Sequence, residues 1–240
     1  MLALALAATA AAMSAAGYQS MAATGQWYGR TFTGIRPGSK ELRSQQLALT
    51  YDDGPNDPHT LRLLEVLARH NVKATFFLIG RYVQQRPDIV REVANAGHII
   101  GNHTFLHPNL IFSSASQTRS QLQQCQQAIT QAIGQHSPLF RPPFGGRRPG
   151  TLGIARSLGL VPVMWNVSGQ DWKGYSADKI KYRIRRQIRG GDVILLHDGS
   201  HTGMGADRSQ TIIATDLLIT EAKSEGFEFV TIPEMMKAAA

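Results

Sequence analysis

Apolar residues follow two rhythms along the chain. Short, nearly continuous runs cover Leu47–Tyr51, Ala74–Ile79, His98–Gly101, Val161–Trp165, Val193–Leu196 and Phe227–Val230. Runs of that length and uniformity predict buried strands. Between them the apolar positions recur at helical spacing, over Thr60–His70, Gly80–Gln85, Pro87–Ala96, Ser116–Ile133, Thr151–Leu158, Ala177–Ile188 and Ser209–Ser224. The first helix is expected to bury Leu61, Leu64 and Leu67/Ala68. Pro87 suits a first helical turn, and Gly97 and Gly134 suit helix stops. Strand alternating with helix predicts an α/β fold of parallel strands joined by right-handed crossovers. There is no internal repeat and no mid-chain linker. One domain is therefore expected over 45–240.

The region ahead of it differs. Residues 26–44 mix Gly, Pro and polar residues and predict a linker or arm. Residues 1–25 carry no charge, and the first sixteen are almost all Ala, Leu and Met. That pattern predicts a signal-like or anchoring segment, with small-residue cleavage options near Ala11–Gly17. It lacks a basic start, and its apolar run is shorter than the ~20 residues a spanning helix needs. The expectation is an exported protein, secreted or envelope-anchored, with N-terminal membrane association open.

The hydrophobic share of 42% and the charged share of 18% fit a folded chain. Net charge is +8. A basic chain can meet an anionic surface or polymer, but no nucleic-acid-binding pattern is present, so no nucleic-acid partner is expected. The single cysteine, Cys125, excludes an intramolecular disulfide and a thiolate metal cluster. With Leu122, Ile129 and Ile133 at helical spacing, it is expected in the core.

Candidate chemistry collects where predicted strands end. Asp52 and Asp53 close the first strand, and Gly54-Pro55 stops it. Adjacent acids repel unless a cation compensates, although Asp, Gly and Pro also make plain turns. His103 and His107, four apart, can face one way on a helical turn. Asp plus two His is a three-donor set of the kind that holds catalytic zinc with a position left open. Arg141 begins the stiff loop Arg141-Pro142-Pro143-Phe144-Gly145-Gly146, which can fix a carboxylate and offer backbone N–H groups to an oxyanion. Asp171-Trp172 follows the fourth strand, where Trp172 could serve as a sugar platform or a buried anchor. His197 ends the Val193–Leu196 run. Asn166-Val167-Ser168 matches a glycosylation sequon by chance. The basic helix around Ile180, Ile184 and Ile188 reads as an amphipathic surface helix.

Taken in order, TYDDGP, HTFLH, RPPF, SGQDW and LLH resemble the motifs of the polysaccharide deacetylase family, the NodB-homology domain of carbohydrate esterase family 4. The resemblance runs from about Leu47 to Val230. It implies a distorted (β/α) barrel of about seven parallel strands. It implies one divalent metal ion, zinc first, with cobalt, nickel or manganese as alternatives. By position, Asp53, His103 and His107 resemble the metal ligands. Asp52 resembles the catalytic base and Arg141 the residue orienting it. His197 resembles the catalytic histidine and Asp171 its acidic partner. Leu195 is similar to the residue lining the acetyl methyl pocket. Phe144 stands where the family usually has Tyr, and Ser168 where it has an acid.

The implied function is N-deacetylation of GlcNAc-type residues in peptidoglycan, chitin or an exopolysaccharide, with release of acetate. The expected partner is that acetylated glycan, and the expected state is a monomer. Three other readings remain: O-deacetylation of xylan, a non-haem iron enzyme, and a non-catalytic sugar-binding protein. The last would be expected to lack a ligand or the base, and none is missing.

Overall fold

The structure is a computed structural model that describes residues 14–35 and 44–239. The first half of the expected leader, 1–13, and part of the arm, 36–43, lie outside the described residues.

The described residues form eight strands: β1 (Gln46–Asp52), β2 (Thr75–Leu78), β3 (Ile99–Asn102), β4 (Leu139–Phe140), β5 (Val161–Pro162), β6 (Val167–Ser168), β7 (Asp192–His197) and β8 (Glu228–Phe229). The helices between and after them are α1 (His59–Arg69), α2 (Gly80–Gln85), α3 (Pro87–Asn95), α4 (Ala115–Ile133), α5 (Thr151–Ser157), α6 (Ala177–Arg185), α7 (Ser209–Ser224) and α8 (Ile232–Ala238). Seven strands run in the order β5-β4-β3-β2-β1-β7-β6. Every pairing is parallel, as the alternation of elements predicts.

The hub is β1. Along one edge it pairs with β7, from Leu47↔Asp192 to Asp52↔His197. Its other edge is shared. The upper half pairs with β2, and the lower half pairs with β8 through Gln46↔Glu228 and Leu47↔Phe229. Side chains alternate across a strand. Leu47, Leu49 and Tyr51 therefore point to the surrounding helices, within the larger core. Ala48 points inward with Phe77, Leu139, Val163 and Val193, and α8 adds Ile232 and Met235 to this inner cluster.

The sheet curls without closing, because β5 and β6 at its two ends do not pair. The arm bridges the seam. Phe32 N–H donates to Pro162, and the Phe32 carbonyl accepts from Met164 N–H, while Ile35 N–H donates to Gly191. The side chains of Phe32 and Ile35 pack on the inner cluster. Asn166, the sequon residue, is engaged by Asp192 and by the Val193 N–H.

Several expectations need correction. The inward positions of α1 are Thr60, Leu63, Val66 and Leu67, not Leu61 and Ala68. The cause lies ahead of the helix. Thr60 is fixed by the Asn56 N–H and by Asp198, and this sets the rotation of everything after it. The Val161–Trp165 run pairs as a strand only over Val161–Pro162, after which Val163 bridges the arm. The basic helix ends at Arg185, and Gln187 and Ile188 continue as a turn on the Ile184 carbonyl. The strands β4 and β6, two residues each, are too short to leave a periodic signal. The helix α8 carried a readable one, a capping box of Thr231 and Glu234 with Pro233 in its first turn.

One glycine leaves space inside the barrel for an aromatic ring. A Cβ on Gly101 would stand 2.3 Å from the ring of Phe77. Gly101→Ala should therefore overpack the barrel interior, costing about 1–3 kcal/mol. Urea unfolding measures this, and a loss below about 0.5 kcal/mol would refute the tight contact.

Candidate active site

Parallel strands all end on one side, so the residues that follow them meet on one rim. The rim forms a pocket of about 400 Å³ lined by Asp52, Asp53, His103, His107, Phe144, Trp172, Leu195 and His197, among others. A roomier groove of about 670 Å³ runs along the Gln-rich α4 and holds a single titratable group, His136. Chemistry rather than size marks the site.

Asp52 is the last residue of β1, and its register partner is His197, the last of β7. Both face inward. Asp53 follows with φ 74°. Simple alternation would have turned it away from Asp52. The left-handed backbone returns it to the same pocket, so both carboxylates reach the centre. Gly199 completes this turn, because a Cβ there would fall 2.1 Å from the Asp53 carbonyl oxygen.

His103 and His107 do not share a helical turn, contrary to the spacing argument. Their segment is irregular, with Thr104 at φ 66° and His107 at φ 61°. The two rings still converge, with centroids 4.8 Å apart. His103 Nδ1 lies 2.8 Å from the Arg141 carbonyl oxygen. A carbonyl only accepts, so Nδ1 donates to it, which turns Nε2 toward the pocket. That Nε2 is 3.5 Å from Asp53 Oδ1, and His107 Nε2 is 3.1 Å from the same oxygen. Asp53 Oδ1 is buried and has no hydrogen-bond donor of good geometry. Burial raises the pKa of the Asp53 carboxyl, but His103 and His107 outweigh it and hold the group well below the usual carboxylate range. Burial pulls His107 down, toward the neutral form a metal requires.

A metal fits this donor set. The three ligand atoms lie within 4.8 Å of one another. A tetrahedral ion with bonds of about 2.0–2.1 Å separates its ligand atoms by about 3.3 Å, which the two Asp53–His distances bracket.

Arg141 is fully buried beneath the rim. It donates from Nη1 to Asp52 Oδ1 (2.7 Å) and to Thr50 Oγ1 (2.8 Å), and from Nη2 to the Met164 carbonyl (3.1 Å). Its guanidinium stacks on Phe77, 4.1 Å from the ring centroid. Asp52 therefore has one oxygen bound, while Oδ2 faces the pocket, 3.7 Å from His103 Nε2.

Opposite stands His197. Its Nδ1 donates to Asp171 Oδ1 (2.9 Å), while Asp171 Oδ2 accepts from the His197 N–H (2.8 Å) and from Thr211 (2.9 Å). Burial works against charge on His197, yet Asp171 outweighs it and the histidine rises to about 9. The buried Asp171 carboxyl is pulled below its usual range by the same pairing. Trp172 is half exposed, its ring edge-on to His197 at 5.1 Å. Leu195 faces inward two residues before His197. Phe144 sits at φ 57°, its ring 4.6 Å from that of His107. Among the described residues its N–H donates to no backbone carbonyl.

Sequence reasoning missed His201. Its ring stacks on His107 at 4.8 Å, and its Nδ1 is 3.9 Å from Asp53 Oδ2. The loop that carries it is held from both sides. Tyr82 donates to the Ser200 carbonyl, Arg81 bonds the His201 carbonyl, and Asn56 takes the Ala206 carbonyl and the Gly205 N–H. A histidine in a glycine-rich stretch just past His197 was the available signal. Asp198, by contrast, supports the Gly54 turn. Thr60 donates to it, burial lifts it to about 7, and a Cβ on Gly54 would collide with it.

The chain matches the family model described as polysaccharide deacetylase over residues 39–163. It is 37% identical over 194 residues to a peptidoglycan-N-acetylglucosamine deacetylase of Bacillus cereus, covering 81% of this chain and 69% of that one. It is 34% identical to a chitooligosaccharide deacetylase of Bradyrhizobium, covering 80% of this chain and 91% of that one. Among solved structures, the Bc1960 peptidoglycan N-acetylglucosamine deacetylase aligns with a TM-score of 0.78 at 36% identity, over 85% of this chain and 91% of that one. With that match in sequence and fold, and with the motif residues gathered on one rim, the chain belongs to the polysaccharide deacetylase family.

Proposed function

We propose that the protein is a metal-dependent hydrolase that removes N-acetyl groups from GlcNAc-type residues of a polysaccharide, peptidoglycan first. The observation that carries this reading is one pocket with three parts. It has the donor set Asp53, His103 and His107, a carboxylate beside it, and a histidine–aspartate pair opposite. Relatives named as peptidoglycan and chitooligosaccharide deacetylases support the substrate class.

Asp53 Oδ1 and Nε2 of His103 and His107 would hold one divalent ion, zinc first, which when bound supplies Lewis-acid polarisation of the acetyl oxygen and acidification of water. The protein's own groups do the rest. Asp52 Oδ2 takes a proton from the attacking water, while Arg141 fixes the other oxygen. The Phe144 N–H, pointed by its left-handed backbone, donates to the developing oxyanion. That N–H is a main-chain group, so replacing the family Tyr with Phe leaves it in place. His197, its Nδ1 held by Asp171, gives a proton from Nε2 to the departing amine. Leu195 flanks the acetyl methyl group, and Trp172 offers a face to the sugar ring.

The two aspartates should separate in experiment. Asp52→Asn should keep metal content and lower acetate release by about 10²–10⁴-fold. Asp53→Asn should lose metal first. Metal analysis beside acetate assays tests this, and the opposite pattern would reverse the two roles.

His197 must be protonated to act as an acid, and its pKa stands at about 9. Activity should therefore fall as pH rises through about 9. Asp171→Asn removes the group that raises it, so the basic limb should move to lower pH. A limb that stays in place in Asp171→Asn would exclude His197 as the acid.

The uncharged leader supports export to the envelope or beyond, as does kinship with enzymes named for a cell-wall polymer. Among the described residues no helix is long and apolar enough to cross a membrane. Fractionation should place the protein outside the cytoplasm, and a cytoplasmic protein with Met1 retained would contradict this.

A further inference from the structure

The loop that carries Phe144 does not stand alone. Residues 14–21 are helical, and the segment continues as turns to Gly25. This stretch lies against the active-site loop. Arg147, three residues past Phe144, donates its N–H to the Ser20 carbonyl (3.0 Å). Its side chain is almost fully buried at 1% exposure, and no carboxylate pairs with it among the described residues. The charge is met by carbonyls from two directions. Nη2 donates to Ala22 (2.7 Å) and Gly25 (2.6 Å), and Nη1 donates to Gly145 (2.8 Å). A buried cation with only carbonyl partners is costly to arrange, so its geometry is closely set.

The packing agrees. Gly145 holds φ 69°, and a Cβ there would lie 3.1 Å from Trp165 and 3.4 Å from the Met21 carbonyl oxygen. A Cβ on Gly25 would lie 2.5 Å from Gln19 Oε1 and 2.9 Å from Arg147 Nη2. Gly145 suits its left-handed backbone, and Gly25 leaves room for the guanidinium. The segment is fixed in turn, since Ser20 and Tyr28 both donate to the Ala16 carbonyl.

We propose that residues 14–25, gripped by Arg147, form a brace that sets the position of the Phe144 N–H, so this stretch is part of the catalytic unit. Arg147 acts through the loop and is a positioning residue. Any export cleavage compatible with activity then falls before Ser20, because a cut beyond it removes carbonyls that Arg147 needs.

The grip can be loosened from either side in the full chain. Gly25→Val places bulk on the Arg147 guanidinium from the side of the brace, and Arg147→Ala removes the guanidinium. Arg147→Lys keeps charge but cannot span three carbonyls. Gly17→Ala is the control, since nothing lies within 4 Å of its added Cβ. The first readout is hydrogen–deuterium exchange. Gly25→Val and Arg147→Ala should speed exchange over 141–147 and leave β1 and β7 unchanged. The second rests on the deacetylase reading: kcat should fall about 10–100-fold with zinc binding intact. Arg147→Lys should lie between, and Gly17→Ala should match the unmodified protein. Unchanged exchange over 141–147 in both loosening variants overturns the brace. So does an equal increase throughout the barrel. If the unmodified protein releases no acetate from any acetylated glycan, the deacetylase reading fails, and the exchange experiment still decides the brace.

Discussion

The rim depends on one buried ion pair. Arg141 sits inside the barrel with no contact to solvent, where an uncompensated cation would be very costly. Its partners come from separate elements: Asp52 and Thr50 from β1, the Val163 and Met164 carbonyls from the chain leaving β5, and the ring of Phe77 from β2. Arg141 itself follows β4. Its own carbonyl orients His103. One residue thus fixes the orientation of both Asp52 and His103. The burial that makes the pair costly also makes its geometry strict, because any displacement leaves a charge unmatched.

Around this pair the backbone leaves ordinary conformations. Six non-glycine residues among those described have positive φ, and five of them, Asp53, Thr104, His107, Phe144 and Gln170, lie in the segments that form the site. Each costs free energy that the surrounding fold must offset. Asp53 shows what is gained. A continued strand would present Asp52 or Asp53 to the pocket, and the left-handed turn presents both. The pocket therefore receives two carboxylates one residue apart.

This distribution explains what could be read from sequence. The long parallel strands and their helices were legible, because burial on both faces leaves a continuous apolar run. So was the gathering of Asp52, Asp53, His103, His107, Arg141, Asp171 and His197 near one rim, because each ends or follows a strand and their spacing resembles known motifs. Three kinds of feature were not. The strands β4 and β6 are set by neighbours rather than by their own two residues. The turn at Asp53 and the irregular path from His103 to His107 depend on contacts such as Gly199 on the Asp53 carbonyl. Arg147 and His201 gain meaning only when distant segments meet. Arg147 reads as one more basic residue until residues 20–25 are laid against it.

The shared edge of β1 has a consequence for how the chain reaches this state. The strand that ends in Asp52 takes β7 on one side and β8 on the other, and both come from the far end of the sequence. Contacts so distant in sequence must close long loops before they form, and such pairings slow folding. The central strand acquires its full set of neighbours only after Phe229 has been synthesised.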